Sequence, residues 1–211
     1  MVRDEKILVL APHTDDGEFG CGGSIAKFIE GGSKVYYAAF SLCEQSIPGG
    51  YPRDILEKEL KEATRVWGIP GSNLLIFRYP VRRFAEHRQD ILENLVELQR
   101  TIGPNLVFMP SINDLHQDHH IIAQEGLRAF KKKTILAYEM PWNNVNFSTQ
   151  LFIKLEGRHV DIKVAALNEY QSQKRKSYAS EAFIRSLALT RGVSIDAEYA
   201  EAFEVVRWVI D

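Results

Sequence analysis

Lys6-Ile-Leu-Val-Leu-Ala-Pro-His-Thr-Asp-Asp-Gly-Glu18 is the stretch that decides the fold. Its apolar run, Ile7 to Ala11, is too short for a helix and reads as a strand buried on both faces. It stops at Pro12 and gives way to side chains of the metal-ligand and acid–base types. A strand buried on both faces implies parallel neighbours and covering helices.

The pattern repeats along the chain. Strands are expected at Lys6–Ala11, Val35–Ser41, Leu74–Tyr79, Leu106–Pro110 and Thr134–Met140. Helices are expected at Ser24–Glu30, Asp54–Trp67, His87–Ile102 and His119–Phe130. Gly31-Gly32, Gly68 and Gly103-Pro104 supply stops. The end of the chain is less regular, with helical spacing over Val160–Gln173 and Ser180–Leu189 and a late strand over Phe203–Ile210. Alternation of this kind predicts an α/β, Rossmann-like doubly wound fold. The expected sheet is mostly parallel, in strand order 3-2-1-4-5, with helices on both faces and an irregular C-terminal extension.

Composition fits one domain over residues 1–211, with 45% apolar and 26% charged residues. The net charge of −2 lacks the basic footprint of a nucleic-acid binder. Lys131–Lys133 is a short run expected at a solvated helix end. Cys21 and Cys43 form no Cys-x-x-Cys pair, so no disulfide scaffold is implied. The Ile7 run is too short for a targeting segment or a membrane span, and a cytoplasmic enzyme is expected.

In the expected sheet, strands one and four are neighbours where strand order reverses, and ligands of doubly wound sheets bind there. Polar clusters follow those two strands. In His13-Thr-Asp-Asp16, an imidazole and a carboxylate three residues apart can converge, and imidazole with carboxylate suits a borderline cation such as Zn²⁺. Asp15 then stands close enough to take a proton from water. In Asp114-Leu-His-Gln-Asp-His-His120, His116 and His119 point to one side if a helix starts nearby. One of them completes three ligands and leaves a fourth position open. The other is free to protonate a leaving amine or to steady an oxyanion. Asp118 can fix that second imidazole's tautomer. His120 points away from His119, Asp114 reads as a turn residue, and His87 and His159 as surface positions.

Ala11-Pro-His-Thr-Asp-Asp-Gly-Glu18, the following Gly22-Gly23, and His116-Gln-Asp-His119 resemble the paired signatures of the PIG-L/LmbE-like deacetylases. Glu59, Ala63, Gly68 and the segment from Arg191 to Phe203 add looser support. The resemblance implies one zinc per chain, held by His13, Asp16 and His119. It implies Asp15 as general base and His116 as acid or oxyanion partner, with Asp118 behind it. It also implies an N-acetylglucosamine-like substrate and assembly into homo-oligomers.

Thr14 and Gln117 stand where that family often has proline, and Asp114 where some members have tyrosine. Leu56 stands where an arginine is expected, with Arg53 one turn earlier as its substitute. Trp142 and Asn143, in the loop after strand five, and the loop Leu42–Pro52 are the expected sugar contacts. The alternatives are a metal-dependent phosphoesterase, suggested by Asp118-His119-His120, and a non-catalytic metal- or sugar-binding module.

Overall fold

The computed structural model describes residues 5–210. Met1–Asp4 and Asp211, the ends of the expected 1–211 domain, lie outside the described residues.

Seven strands form one sheet in the order β3-β2-β1-β4-β5-β7-β6. The first five are β1 (Lys6–Ala11), β2 (Lys34–Ala39), β3 (Leu74–Ile76), β4 (Leu106–Pro110) and β5 (Thr134–Tyr138). All pairings among these five are parallel. The expected 3-2-1-4-5 order is therefore present. The C-terminal extension is not irregular. It contributes β6 (Leu151–Leu155) and β7 (Tyr199–Arg207), which continue the sheet antiparallel beyond β5. Strand β6 escaped the sequence reading because its five residues carry little alternation.

Helices cover both faces: α1 (Asp16–Glu30), α2 (Ile55–Val66), α3 (Arg88–Ile102), α4 (Gln117–Ala129), α5 (Gly157–Asn168) and α6 (Glu181–Val193). The central strand alternates its side chains between two cores. Ile7, Val9 and Ala11 enter one, and Leu8 and Leu10 the other. All five are fully buried, and each of the larger four is worth about 1.5–3 kcal/mol of apolar burial. Helix α3 ends where glycine was expected to stop it, with Gly103 at φ 60°.

Helix α1 departs most from expectation. It begins at Asp16 rather than Ser24 and breaks at Cys21, whose φ of −146° is not helical. Four glycines weaken its helical signature. Three of them are sterically required: a Cβ would come within 2.3 Å of Tyr138 at Gly20, within 2.6 Å of Tyr37 at Gly17, and within 2.5 Å of Leu155 at Gly23. The break is held by a buried ion pair. Lys163 Nζ donates to the Phe19 carbonyl at 2.6 Å and lies 2.7 Å from the Glu201 carboxylate. Glu201 in turn accepts the backbone N–H groups of Gly23 and Ser24, at 3.0 and 2.7 Å. One partner thus closes the first half of the helix and the other starts the second half.

His159 is not a surface residue. It is buried, accepts the Glu156 N–H at 3.0 Å and lies 2.7 Å from Glu30. It completes a capping box at the start of α5. No helix among the described residues is long and apolar enough to cross a membrane.

Candidate active site

The strand order reverses between β1 and β4, so α1 and α4 both begin over the crevice between them. The turn Pro12–Asp16 is fixed from below. Tyr37 and Tyr170 hydroxyls both reach the Thr14 carbonyl, at 3.0 and 2.8 Å. Glu18, fully buried, lies between the same two hydroxyls. Burial raises its carboxyl to a pKa of about 8, against the lowering effect of the two tyrosines.

Above this turn the two polar clusters meet, although about a hundred residues separate them in the chain. His13 Nδ1 lies 3.2 Å from Asp16 Oδ2 and 3.2 Å from His119 Nε2. His119 Nε2 lies 3.1 Å from Asp16 Oδ2. These three atoms form a nearly equilateral triangle. Ligands held at about 2.0–2.1 Å around tetrahedral zinc stand roughly 3.3 Å apart, so the triangle fits one face of such a site.

The remaining nitrogens of both histidines are held by carboxylates. His13 Nε2 is 3.0 Å from Asp118 Oδ2, and His119 Nδ1 is 2.7 Å from Asp114 Oδ2. Each carboxylate fixes its ring with the opposite nitrogen's lone pair aimed at the triangle's centre. Asp118 also accepts the Arg82 N–H at 2.6 Å.

Charge at this cluster is unbalanced toward the anionic side, since Asp16, Asp114 and Asp118 are all buried. Burial opposes ionisation of His119, yet Asp16 and Asp114 raise it to about 10. His13 is raised likewise, against burial, by Asp16 and Asp118. Burial works against the Asp16 carboxylate, but His119 and His13 hold it well below the usual range. A pocket that draws protons onto two buried imidazoles is one that a divalent cation would neutralise.

His116 sits at the N-cap of α4, and its Nδ1 accepts the Asp118 N–H at 3.2 Å. That bond leaves Nε2 as the protonated nitrogen of the neutral ring. Burial, with His13 and His119 nearby, lowers its pKa to about 4. One nitrogen of each of His13, His116 and His119 lies within 4.8 Å of the others. The triangle through Asp16 is tighter, and His116 stands at its edge. Asp15 caps α1 beside the triangle and makes no side-chain capping bond. The ammonium of Lys176 lies 3.6 Å from its carboxylate.

These groups open into a cavity of about 590 Å³, lined among others by Leu56, Phe19, Trp142, Asn143 and Tyr178. Trp142 stacks on Tyr178 with ring centroids 3.9 Å apart. Cys43 and Ser46, from the expected substrate loop, also line it.

Several site expectations are corrected. Asp118 backs His13 rather than His116, because the start of α4 turns its carboxylate toward β1. Arg53 is exposed and does not line the cavity, so it does not replace the arginine missing at Leu56. Asp114 is no mere turn residue: besides holding His119, its Oδ1 accepts the His116 N–H at 2.8 Å. Only its spacing, two residues before His116, could have signalled it. Lys176, Tyr178 and Arg82 come from segments with no local motif. His120 is exposed beside Gln124, so Asp118-His119-His120 does not converge as a unit.

A family model described as GlcNAc-PI de-N-acetylase, PIG-L, matches residues 8–130. The chain belongs to this family. It is 26% identical over 176 residues to an uncharacterised deacetylase of Escherichia coli K12, covering 81% of this chain and 92% of that protein. It is 27% identical over 188 residues to a probable N-acetyl-α-D-glucosaminyl L-malate deacetylase of Bacillus subtilis, covering 80% and 83%. A conserved protein of Thermus thermophilus superposes with a TM-score of 0.81 at 25% identity, over 98% of this chain and 97% of that one. The matched segment carries both polar clusters, and membership does not favour the phosphoesterase alternative.

Proposed function

We propose that this protein is a zinc-dependent hydrolase that removes the N-acetyl group from an amino sugar, such as an N-acetylglucosamine conjugate. The observation that carries the proposal is the triangle of His13 Nδ1, Asp16 Oδ2 and His119 Nε2, with a separate carboxylate, Asp15, beside it. Three protein ligands with an open fourth position are the pattern of catalytic rather than structural zinc.

His13, Asp16 and His119 hold the metal, with Asp118 and Asp114 orienting the two imidazoles. Bound there, zinc supplies a Lewis acid for the amide carbonyl and makes water acidic at about pH 7. Asp15 accepts the proton of the attacking water and delivers it to the departing nitrogen. Lys176 orients the Asp15 carboxylate. His116, neutral and with its proton on Nε2, donates a hydrogen bond to the oxyanion of the tetrahedral intermediate. Trp142, stacked on Tyr178, offers an aromatic face to the sugar ring, with Asn143 beside it.

The alternative of a non-catalytic binding module shares the metal ligands and differs in turnover. Acetate release from N-acetylglucosamine glycosides, measured together with metal content, separates the two. The wild type should release acetate. Asp15→Asn should cut the rate by about 10²–10⁴-fold while keeping the metal. Near-normal turnover in that variant would remove Asp15 as the base, and zinc binding without acetate from any substrate would favour the binding module.

A further inference from the structure

The run Lys131–Lys133 takes no part in the catalytic cavity. It forms the turn between α4 and β5, closed by the Lys133 N–H on the Phe130 carbonyl at 3.1 Å. Elsewhere on the surface, Lys58, Lys61 and Arg185 each pair with a carboxylate one helical turn away. The three ammonium groups of this run pair with no carboxylate of the described residues. A helix C-terminus favours cations near its last turn, but it does not account for the apolar surface that two of these lysines border.

Lys132 and Lys133 line a groove of about 640 Å³. It lies at the ends of the strands opposite the metal triangle, where β1, β4 and β5 begin and β7 finishes. Strand β6 pairs with β7 only from Tyr199 to Phe203, so the rest of β7, on to Arg207, has no strand on its outer side. The polar lining collects at the strand starts: Glu5 before β1, Asn105 before β4 and the two lysines before β5. Glu5 is the lining's one carboxylate and pairs with neither lysine. The remaining walls are apolar, with Phe28 from the end of α1, Phe152 and Ile153 from β6, and Trp208 beyond β7. Trp208 is 56% exposed.

A groove of this size, apolar with a few polar groups at one end, has the form of a small-molecule site. Its two unpaired ammonium groups and its aromatic and aliphatic walls are complementary to an alkyl chain with an anionic head. We infer that the groove binds a single-chain anionic amphiphile of the fatty-acid class, separately from the catalytic cavity. The head accepts charge-assisted hydrogen bonds from Lys132 and Lys133. The chain lies along Phe28, Phe152 and Ile153, beside the Trp208 ring.

The test needs no turnover, so it stands apart from the deacetylase reading. Dodecanoate, dodecanol and octanoate, all below their micelle concentrations, are titrated into the full chain carrying Trp142→Phe. That substitution removes the indole of the catalytic cavity and leaves Trp208 as the exposed reporter, since Trp67 is buried. Trp208 emission should change saturably with dodecanoate. Dodecanol should bind about tenfold more weakly, and octanoate should lose about fourfold for each buried methylene removed. Adding Lys132→Gln and Lys133→Gln should erase the preference for acid over alcohol and leave the alcohol's affinity in place. Equal affinity for acid and alcohol before those substitutions, or a preference that survives them, would overturn the inference. So would the absence of any saturable change. A response confined to vesicles of phosphatidylcholine with phosphatidylglycerol would overturn it as well, and would make this face a membrane contact. Loss of dodecanoate binding as the chain dimerises with concentration would instead assign the groove to a second copy.

Discussion

Asp114 and Asp118 show how little of a metal centre resides in its ligands alone. Each takes one nitrogen of a buried histidine, so that the other nitrogen's lone pair has a single direction available. Asp114→Asn keeps the size of the side chain and a hydrogen-bond acceptor but removes the charge. It should weaken zinc affinity by about 10–100-fold, measured by competition with a chelating dye, with little change in fold. Unchanged affinity would show that His119 needs no carboxylate behind it. His13, Asp15, Asp16 and the second histidine pair were legible in the sequence because the residue types are rare in combination and follow two strand ends. Asp114's role was not legible, because an aspartate before a helix is usually a turn or a cap. The pairing of Asp118 was not legible either. Its partner depends on the direction in which the first turn of α4 leaves β4, and that is a tertiary property.

Among the elements, α1 carries the most consequence. Its first turn positions Asp15 and Asp16, and its second half is a separate helix started by Glu201 from β7. The C-terminal strands are thereby linked to the site through the Lys163–Glu201 pair. Glu201→Ala leaves a buried lysine without its counter-charge and two N–H groups without acceptors. It should cost about 3–5 kcal/mol in urea unfolding. A cost below about 1 kcal/mol would mean that the break in α1 holds itself. The far end of α1 meets α5 through Glu30, whose pKa Arg158 and His159 lower to about 2. A carboxylate lowered in the folded state stabilises it above the unfolded pKa, and this contribution fades as pH falls from about 4.5 to about 2. The stability difference between wild type and Glu30→Gln should shrink to nothing over that window, followed by urea midpoint. A difference constant with pH would locate the effect in packing. The sequence announced α1 only from Ser24, because glycines placed for close approach to Tyr37 and Leu155 erase helical propensity.

At the scale of the whole molecule, the five parallel strands and their order follow from apolar runs bounded by turn residues, and the site follows from that order. What periodicity could not supply was the edge strand β6 and the antiparallel pairing; the late strand expected at Phe203–Ile210 overlaps β7. Edge strands with one partly exposed face have weak patterns, and β6 in particular is short. The loops that shape the cavity were equally silent, since Arg82, Lys176 and Tyr178 reach it from segments with no repeating pattern. The centre they surround holds three buried carboxylates facing two imidazoles, so loading a cation and acquiring activity should be one event. The direct measurement is acetate release from an N-acetylglucosamine glycoside by chelator-stripped protein titrated with zinc. Turnover should be absent without metal and rise linearly to a plateau at one zinc per chain. Full turnover in the stripped protein, or none at any loading that the triangle binds, would contradict the account.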